Sequence, residues 1–444
     1  MKTLIKNGTI VTMNEQRDII KGDVLIEGDK ISKIGNIEDS GTAIDKVIDA
    51  TGKIVIPGLI QTHIHLCQSL FRGQADDLEL LDWLKNKIWP LEGAHDSDSI
   101  YYSAMLGCGE MFKGGTTAII DMETVRHTQE AIAAIKENGM RAIVGKVMMD
   151  YGQGVPDSLM EDTDKSIAES VELLERWHNS SNGRIKYGFA PRFVISCTEK
   201  LLIEVRDLAQ KYDVHIHTHA SENRGEIQIV EADRGMRNII YLDKIGLTGP
   251  NLILAHCIWL NDEEIGILAR SKTKVAHCPS SNLKLASGIA KVPELMKKGA
   301  LVSIGADGAP CNNNLDQFVE MRTAALIQKP IHGPTSMPAP LVFELATLGG
   351  ARAMGLEKEI GSIEEGKKAD IAIIDLDNLH TNPTETVDLY SQLVYQAKST
   401  DVIYTIVDGK IVMENRQLTT IDEKEIKTNC NKAIVRIAER AGVI

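Results

Sequence analysis

Between residues 57 and 358 the chain repeats one pattern eight times: a short apolar run, then a polar segment with helical character. The runs are "GLIQTHIH", "TTAIIDM", "RAIVGKVMMD", "IKYGFAP", "VHIHTH", "LILAHC", "KVAHC" and "LVSIGADG". Segments such as "DKSIAESVELLERWHN", "EKLLIEVRDLAQKYD" and "NDEEIGILARS" separate them. Strands alternating with helices favour a parallel sheet, because each helix carries the chain back to start the next strand. Eight such units predict an α/β fold of the (β/α)8 TIM-barrel type. A doubly wound sheet is the competing architecture, but no GxGxxG turn follows an early strand.

Residues 1–56 have a different texture. Short strands in "TLIKNGTIVTM", "GDVLIEGDKISKIG" and "KVIDATGKIVIPG" are punctuated by Asn7-Gly8, Glu27-Gly28-Asp29 and Thr51-Gly52, which are hairpin signals. The same texture returns in "GSIEEGKKADIAIIDLD" and "VIYTIVDGKIVMEN". Neither piece is large enough to fold comfortably alone. Residues 1–56 and 359–420 are therefore expected to build one small β-sandwich, with the barrel at 57–358 and a C-terminal helix at 421–444.

Charge and cysteine usage narrow the partners. Lys and Arg total 49 against 62 Asp and Glu, a net −13 that disfavours nucleic acid and anionic membranes. No apolar run approaches the roughly 20 residues that span a bilayer. The N-terminus turns polar too soon for a secretory signal. Seven scattered cysteines without a CxxC pair argue for a reducing, cytoplasmic setting. A small-molecule substrate is the expectation that remains.

Barrel enzymes carry their chemistry at the C-terminal ends of the strands. The first run closes with His63 and His65, the fifth with His219, the sixth with His256, the seventh with His277 and the eighth with Asp307. Five of only 12 histidines thus fall at strand ends, a concentration that points to a metal site. His63 and His65 share one strand face, since side chains alternate with period two. His215, His217 and His219 also share a face; His219 lies nearest the strand top, and His217 is its rival as a ligand. Three imidazoles and a carboxylate suit one divalent ion, zinc first and iron(II) second, with a position left for water. Bound water then loses its proton near neutral pH. Asp307 is the expected acceptor of that proton, Glu222 the expected donor to a substrate ring nitrogen, and His256 a hydrogen-bonding partner for the nucleophile.

Taken in order, "PGLIQTHIH", "HTHASE", "LAHC", "AHCPSSN" and "IGADGAPCNNN" resemble the amidohydrolase superfamily, and the flanking "GSIEEGKKADIAIID" extends the resemblance to nearly the whole chain. The chain is most similar to the aminohydrolase branch, which holds methylthioadenosine/S-adenosylhomocysteine deaminases, guanine deaminases and triazine hydrolases. That resemblance implies a mononuclear site with His63, His65, His219 and Asp307 as ligands, Glu222 as the proton-shuttling acid and His256 beside the water. Binuclear relatives use a carbamylated lysine at the end of strand 4; "GFAPRF" offers Arg192 instead. It also implies a homo-oligomer.

On the substrate side the resemblance divides. "LFRGQADDLELLDWLKNKIWPLE" is similar to the lid of adenosine-type deaminases, where Trp83 would pack near the substrate and Glu92 would bind ribose hydroxyls. "APRFVISC" and "THASENRGE" look more like guanine deaminases, where Arg192 and Gln68 would read the purine edge. Lys146 stands where S-adenosylhomocysteine deaminases have an arginine, which disfavours a substrate with an amino-acid tail. Simpler structural roles are helix packing for Trp83, a surface place for Glu92 and an ordinary ion pair for Arg192. The expected activity is hydrolytic deamination of an aminopurine. Hydrolysis of a triazine or pterin amine or chloride is the enzymatic alternative, and an inactive assembly barrel the non-enzymatic one.

Overall fold

A computed structural model describes residues 1–37 and 43–443. The N-terminal strands are β1 (Lys2–Val11), β2 (Ile19–Glu27), β3 (Lys30–Gly35), β4 (Lys46–Asp49) and β5 (Ile54–Pro57). Gly28, at φ 65°, closes the tight turn between β2 and β3, a conformation open to glycine at no steric cost. Gly8 sits where a Cβ would come within 2.7 Å of Val55, so β1 and β5 approach closely only because it has no side chain.

The eight apolar runs form ten short strands. These are β6 (Leu59–Ile64), β7 (Thr116–Met122), β8 (Arg141–Gly145), β9 (Val147–Met148), β10 (Ile185–Tyr187), β11 (Ala190–Pro191), β12 (Ile216–Ala220), β13 (Leu252–His256), β14 (Lys274–His277) and β15 (Leu301–Ile304). One parallel sheet runs β10-β8-β7-β6 and another β12-β13-β14-β15, while β9 and β11 pair as continuations of β8 and β10. The sheets meet at both seams. His217 N–H donates to Phe189 O at 2.8 Å on one side, and Asp307 N–H donates to His63 O at 3.0 Å on the other. This is a TIM-barrel-type α/β fold with mixed sheets.

Ile60, Ala118, Ile120, Ile143, Ile253 and Ala276, one or two from each of several strands, share an apolar cluster. Strict alternation from Ile60 would turn His63 away from it. β6 avoids this with a register shift against β7 between Gln61 and Ile64. A bulge adds one residue and re-aims the side chains beyond it, so His63 and His65 face the histidines of the opposite sheet. Helices cover the outside, and their starts follow capping chemistry: Asp162 accepts from Lys165 N–H to begin Thr163–Trp177, and Thr198 from Leu201 N–H to begin Glu199–Tyr212.

Strands from the two chain ends pair with one another. β16 (Ile371–Ile374), β17 (Val402–Val407), β18 (Lys410–Glu414) and β19 (Gln417–Leu418) join β1–β5 in one nine-stranded sheet, with β16 against β5. Its own apolar cluster includes Ile5, Ile10, Val24, Val55, Ile371 and Ile406. The last helix, Glu423–Ala441, packs back onto Ser97–Lys113. All seven cysteines are buried and free. Among the described residues no helix is long and apolar enough to cross a membrane.

A buried ion cluster fastens this sheet to the barrel. Arg141, the first residue of β8, bonds Asp370 through Nε at 2.7 Å and Nη2 at 3.0 Å, and Asp408 through Nη2 at 2.9 Å. Removing one partner from such a cluster leaves unmatched charge in a medium that solvates it poorly. Arg141→Met is expected to lower stability by about 3–5 kcal/mol, read as a lower urea midpoint. An unchanged midpoint would show that the cluster does not hold the two parts together.

Candidate active site

At the tops of the barrel strands five side chains converge. His63, His65 and His219 bring one ring nitrogen each within 4.8 Å of one another, and His63, His256 and Asp307 do the same. Asp307 Oδ1 lies 3.3 Å from both His63 Nε2 and His65 Nε2, and His219 Nε2 lies 3.3 Å from His65 Nε2. His219, not His217, is the strand-5 histidine in this group. His217 lies one layer deeper, with Nε2 2.9 Å from His63 Nδ1. Deeper still, His215 Nε2 faces Lys274 Nζ at 3.1 Å.

Each ring is anchored on its far side. His65 Nδ1 bonds Met122 O at 2.7 Å, His219 Nδ1 bonds Arg192 O at 2.7 Å, and His256 Nδ1 bonds Asn282 Oδ1 at 2.8 Å. A carbonyl only accepts, so His65 and His219 each carry a proton on Nδ1, which in a neutral imidazole leaves Nε2 bare. Their 3.3 Å approach is then acceptor against acceptor. His63 Nε2 is also buried without a hydrogen-bond partner. Bare nitrogens and a carboxylate gathered about one point, without a donor between them, repel one another until a cation binds. The orphaned His63 nitrogen and the chemistry of its neighbours thus make a donor set that fits a divalent metal.

Electrostatics assign protonation. Burial pushes His63 down to about 4 and His219 and His217 well below the usual imidazole value, so these rings are neutral. Burial would raise Asp307, but its carboxyl lies well below the usual range in the field of His63, His65 and His256 wherever these rings carry a second proton. Ser281 Oγ–H at 2.6 Å and Gly308 N–H at 2.7 Å also donate to it. Burial, helped by the charge on Asp307, raises Glu222 well above the usual carboxylic range. Glu222 therefore holds its proton more tightly than an ordinary carboxyl does, with Oε2 3.4 Å from His256 Nε2.

The sequence after β12 holds Glu222 in place. Asn223 and Glu226 form a capping box for helix Arg224–Arg234, and Glu226 Oε2 also accepts from Glu222 N–H at 2.8 Å. Ser221, His256, Cys257 and Asp307 all have positive φ, at 55°, 72°, 50° and 66°. Left-handed backbone at residues other than glycine costs about 1–3 kcal/mol each and gathers where side chains must be aimed.

Beside this centre lies a second cluster. Arg192 bonds Glu92 through both terminal nitrogens, Nη2 to Oε1 at 3.1 Å and Nη1 to Oε2, and Gln68 Nε2 donates to Glu92 Oε1 at 2.8 Å. All three are buried, so Glu92 has no surface place, and Arg192 does make an ion pair. Trp83 is buried in the helix Leu80–Trp83, its indole N–H without a partner, and shares no hydrogen bond with the cluster. Lys146 points elsewhere: its Nζ bonds Glu161 at 2.6 Å and lies 3.8 Å from Glu169 on the outer helix. His277 is buried outside the metal group, with both ring nitrogens unpartnered.

Sequence reasoning missed an acidic pair. Asp121 and Glu123 close the second run, "TTAIIDME", at the same kind of strand end that carries the histidines. Asp121 accepts from Leu66 N–H at 2.9 Å, next to His65. Burial raises Asp121 to about 7 and Glu123 well above its usual value. The signal that could have found them is the same strand-end rule, applied to carboxylates as well as imidazoles.

Comparison with known proteins gives a consistent picture. A profile of the amidohydrolase family matches residues 54–412. The chain is 42% identical over 437 residues to a 5'-deoxyadenosine deaminase of Methanobrevibacter smithii, covering 98% of each. It is 38% identical to a 5-methylthioadenosine/S-adenosylhomocysteine deaminase of Pelotomaculum thermopropionicum, covering 98% of this chain and 99% of the other. Among solved structures, an adenosine deaminase from Xanthomonas campestris with bound zinc is similar at 33% identity and a TM-score of 0.92, covering 98% of each chain.

Proposed function

The chain belongs to the amidohydrolase family, and on that premise we propose that it is a hydrolytic deaminase of 6-aminopurine nucleosides, acting with one zinc ion per chain. What carries this assignment is the convergence of His63, His65, His219 and Asp307 next to a buried Glu222 whose burial favours the protonated form. Relatives named for deamination of 5'-deoxyadenosine and methylthioadenosine support the substrate class. Residues 57–358 are taken as a closed (β/α)8 barrel and the two chain ends as its small β-sandwich, with the helix at 421–444 outside both.

His63, His65, His219 and Asp307 would hold the ion. When bound, zinc supplies Lewis acidity and lowers the pKa of water to about 7. The chain's own groups do the rest. Glu222 gives its proton to the purine ring nitrogen beside the amino-bearing carbon, making that carbon a better electrophile. His256, fixed by Asn282, accepts a hydrogen bond from the attacking water and keeps it aimed at the ring. Asp307 takes the water's proton and returns it to the departing amine, which leaves as ammonia, and the remaining hydroxyl proton passes back to Glu222 as the ring carbonyl forms. Gln68, Glu92 and Arg192 contact the substrate side, and Trp83 closes the lid over it.

Lys146 is matched by Glu161 and faces the outer helix, so it brings no free cation toward an amino-acid carboxylate. Methylthioadenosine and 5'-deoxyadenosine are therefore expected to react at least about 10-fold faster, in kcat/KM, than S-adenosylhomocysteine, the difference of one charge-assisted bond. Ammonia release from the zinc-loaded protein, with guanine and adenine in the same panel, measures this. Turnover of guanine alone would overturn the nucleoside assignment.

A further inference from the structure

Two barrel helices begin with an Asn-x-x-Glu capping box, and the two glutamates are used differently. At the start of Asp262–Ser271, Glu264 Oε2 accepts from Asn261 N–H at 3.0 Å, and its charge is matched by Arg237 Nε at 2.8 Å. At the start of Arg224–Arg234, Glu226 Oε2 accepts from Asn223 N–H at 3.4 Å and from Glu222 N–H at 2.8 Å. Its Oε1 accepts from Ser221 N–H at 3.3 Å and from Asn238 Nδ2. Three consecutive main-chain donors thus converge on one fully buried carboxyl. Arg237, next to Asn238, pairs with Glu264 and Glu231 instead. A cap needs one returned bond, and a buried carboxyl without a cation is costly. The surplus bonds of Glu226 therefore exceed what starting the helix requires.

Those donors belong to the turn that carries Glu222. Ser221, at φ 55°, redirects the chain as it leaves β12, and its carbonyl accepts from Ile258 N–H and Trp259 N–H, each at 3.0 Å. The peptide before Glu222 is thus gripped at its N–H by Glu226 and at its C=O by the loop after β13. The peptide after Glu222 is gripped at its N–H by Glu226 again. We infer that Glu226 is a positioning residue: it fixes the main chain of the Ser221–Asn223 turn so that the Glu222 carboxyl is aimed at the substrate, and it acts on the reaction only through Glu222. The inference rests on the assignment of Glu222 as proton donor. A shift of about 1 Å in such a group is enough to cost about 100-fold in rate. The bonds of Glu226 go to Ser221, Glu222, Asn223 and Asn238, none of them a metal ligand, so metal content and proton donation can be read apart.

The test is a double-mutant cycle, read as kcat and KM for ammonia release from 5'-deoxyadenosine by the zinc-loaded wild-type protein, Glu226→Gln, Glu222→Gln and the double variant. An amide at position 226 keeps one acceptor but turns its own N–H groups toward the main-chain donors. Glu226→Gln should lower kcat by about 10- to 100-fold, with KM within about 3-fold of wild type and one zinc per chain. In the Glu222→Gln protein, which has no proton to aim, the same substitution should cost less than about 3-fold. Equal losses in the two backgrounds would overturn the inference, since a general loosening of the barrel slows both. So would an unchanged kcat, a loss confined to KM, or zinc missing from Glu226→Gln. If Glu226→Gln does not fold, Glu226→Asp, which keeps the charge one methylene short of the turn, goes through the same cycle. Near-normal turnover by zinc-loaded Glu222→Gln takes down the proton-donor assignment and the inference with it. Equal losses beside a slow Glu222→Gln take down the inference alone.

Discussion

Glu222→Gln is expected to lower kcat by about 10²- to 10⁴-fold, the usual contribution of a positioned general acid. The amide keeps the size and most of the polarity of the side chain but has no proton to give. Glu222 lies outside the ligand set, so zinc content should be unchanged, and metal analysis beside kcat separates chemistry from folding. The pH dependence carries the sign of the same claim. Burial raises Glu222, so its acid form persists above the pH at which an ordinary glutamate ionises, and activity should decline as pH rises through that elevated value. Glu222→Gln should lose this alkaline limb along with its rate. Near-normal turnover in a fully zinc-loaded Glu222→Gln protein would remove Glu222 from the mechanism.

His219→Ala is expected to be at least as damaging, but by another route. His219 lies in the central group while His217 lies behind His63. Removing a group that only supports a ligand weakens metal binding by about 10- to 100-fold, so loss of a ligand should exceed that. His219→Ala should therefore purify with little zinc and release no ammonia. His217→Ala should bind zinc more weakly yet recover activity at higher zinc concentration. Equal zinc affinity in the two variants would contradict the assignment of His219 as ligand. The contrast is read by metal titration alone, so it holds even if both proteins are slow.

Much of this was legible in the chain because parallel strands covered on both faces appear as unbroken apolar runs. Their polar last residues then stand out, which is how His63, His65, His219, His256 and Asp307 were found. Parity placed His215, His217 and His219 on one face, and the structure stacks them from His219 at the top through His217 to His215 deepest. Parity failed to register the bulge in β6, since an inserted residue leaves no mark in a hydrophobic pattern. It could not foresee that Glu92 and Arg192, 100 residues apart in the chain, are one ion pair. The resemblance had offered them as rival readers of sugar and base, and the structure joins them. Asp121 and Glu123 escaped because two acids near a strand end ordinarily signal solvent, and only burial shows otherwise.

The most direct test of a single-zinc deaminase is a titration of the metal-free protein with zinc, following ammonia release from 5'-deoxyadenosine. Activity should rise linearly to one zinc per chain and then stay level. A break at two zinc ions per chain, or full activity with none, would contradict the account.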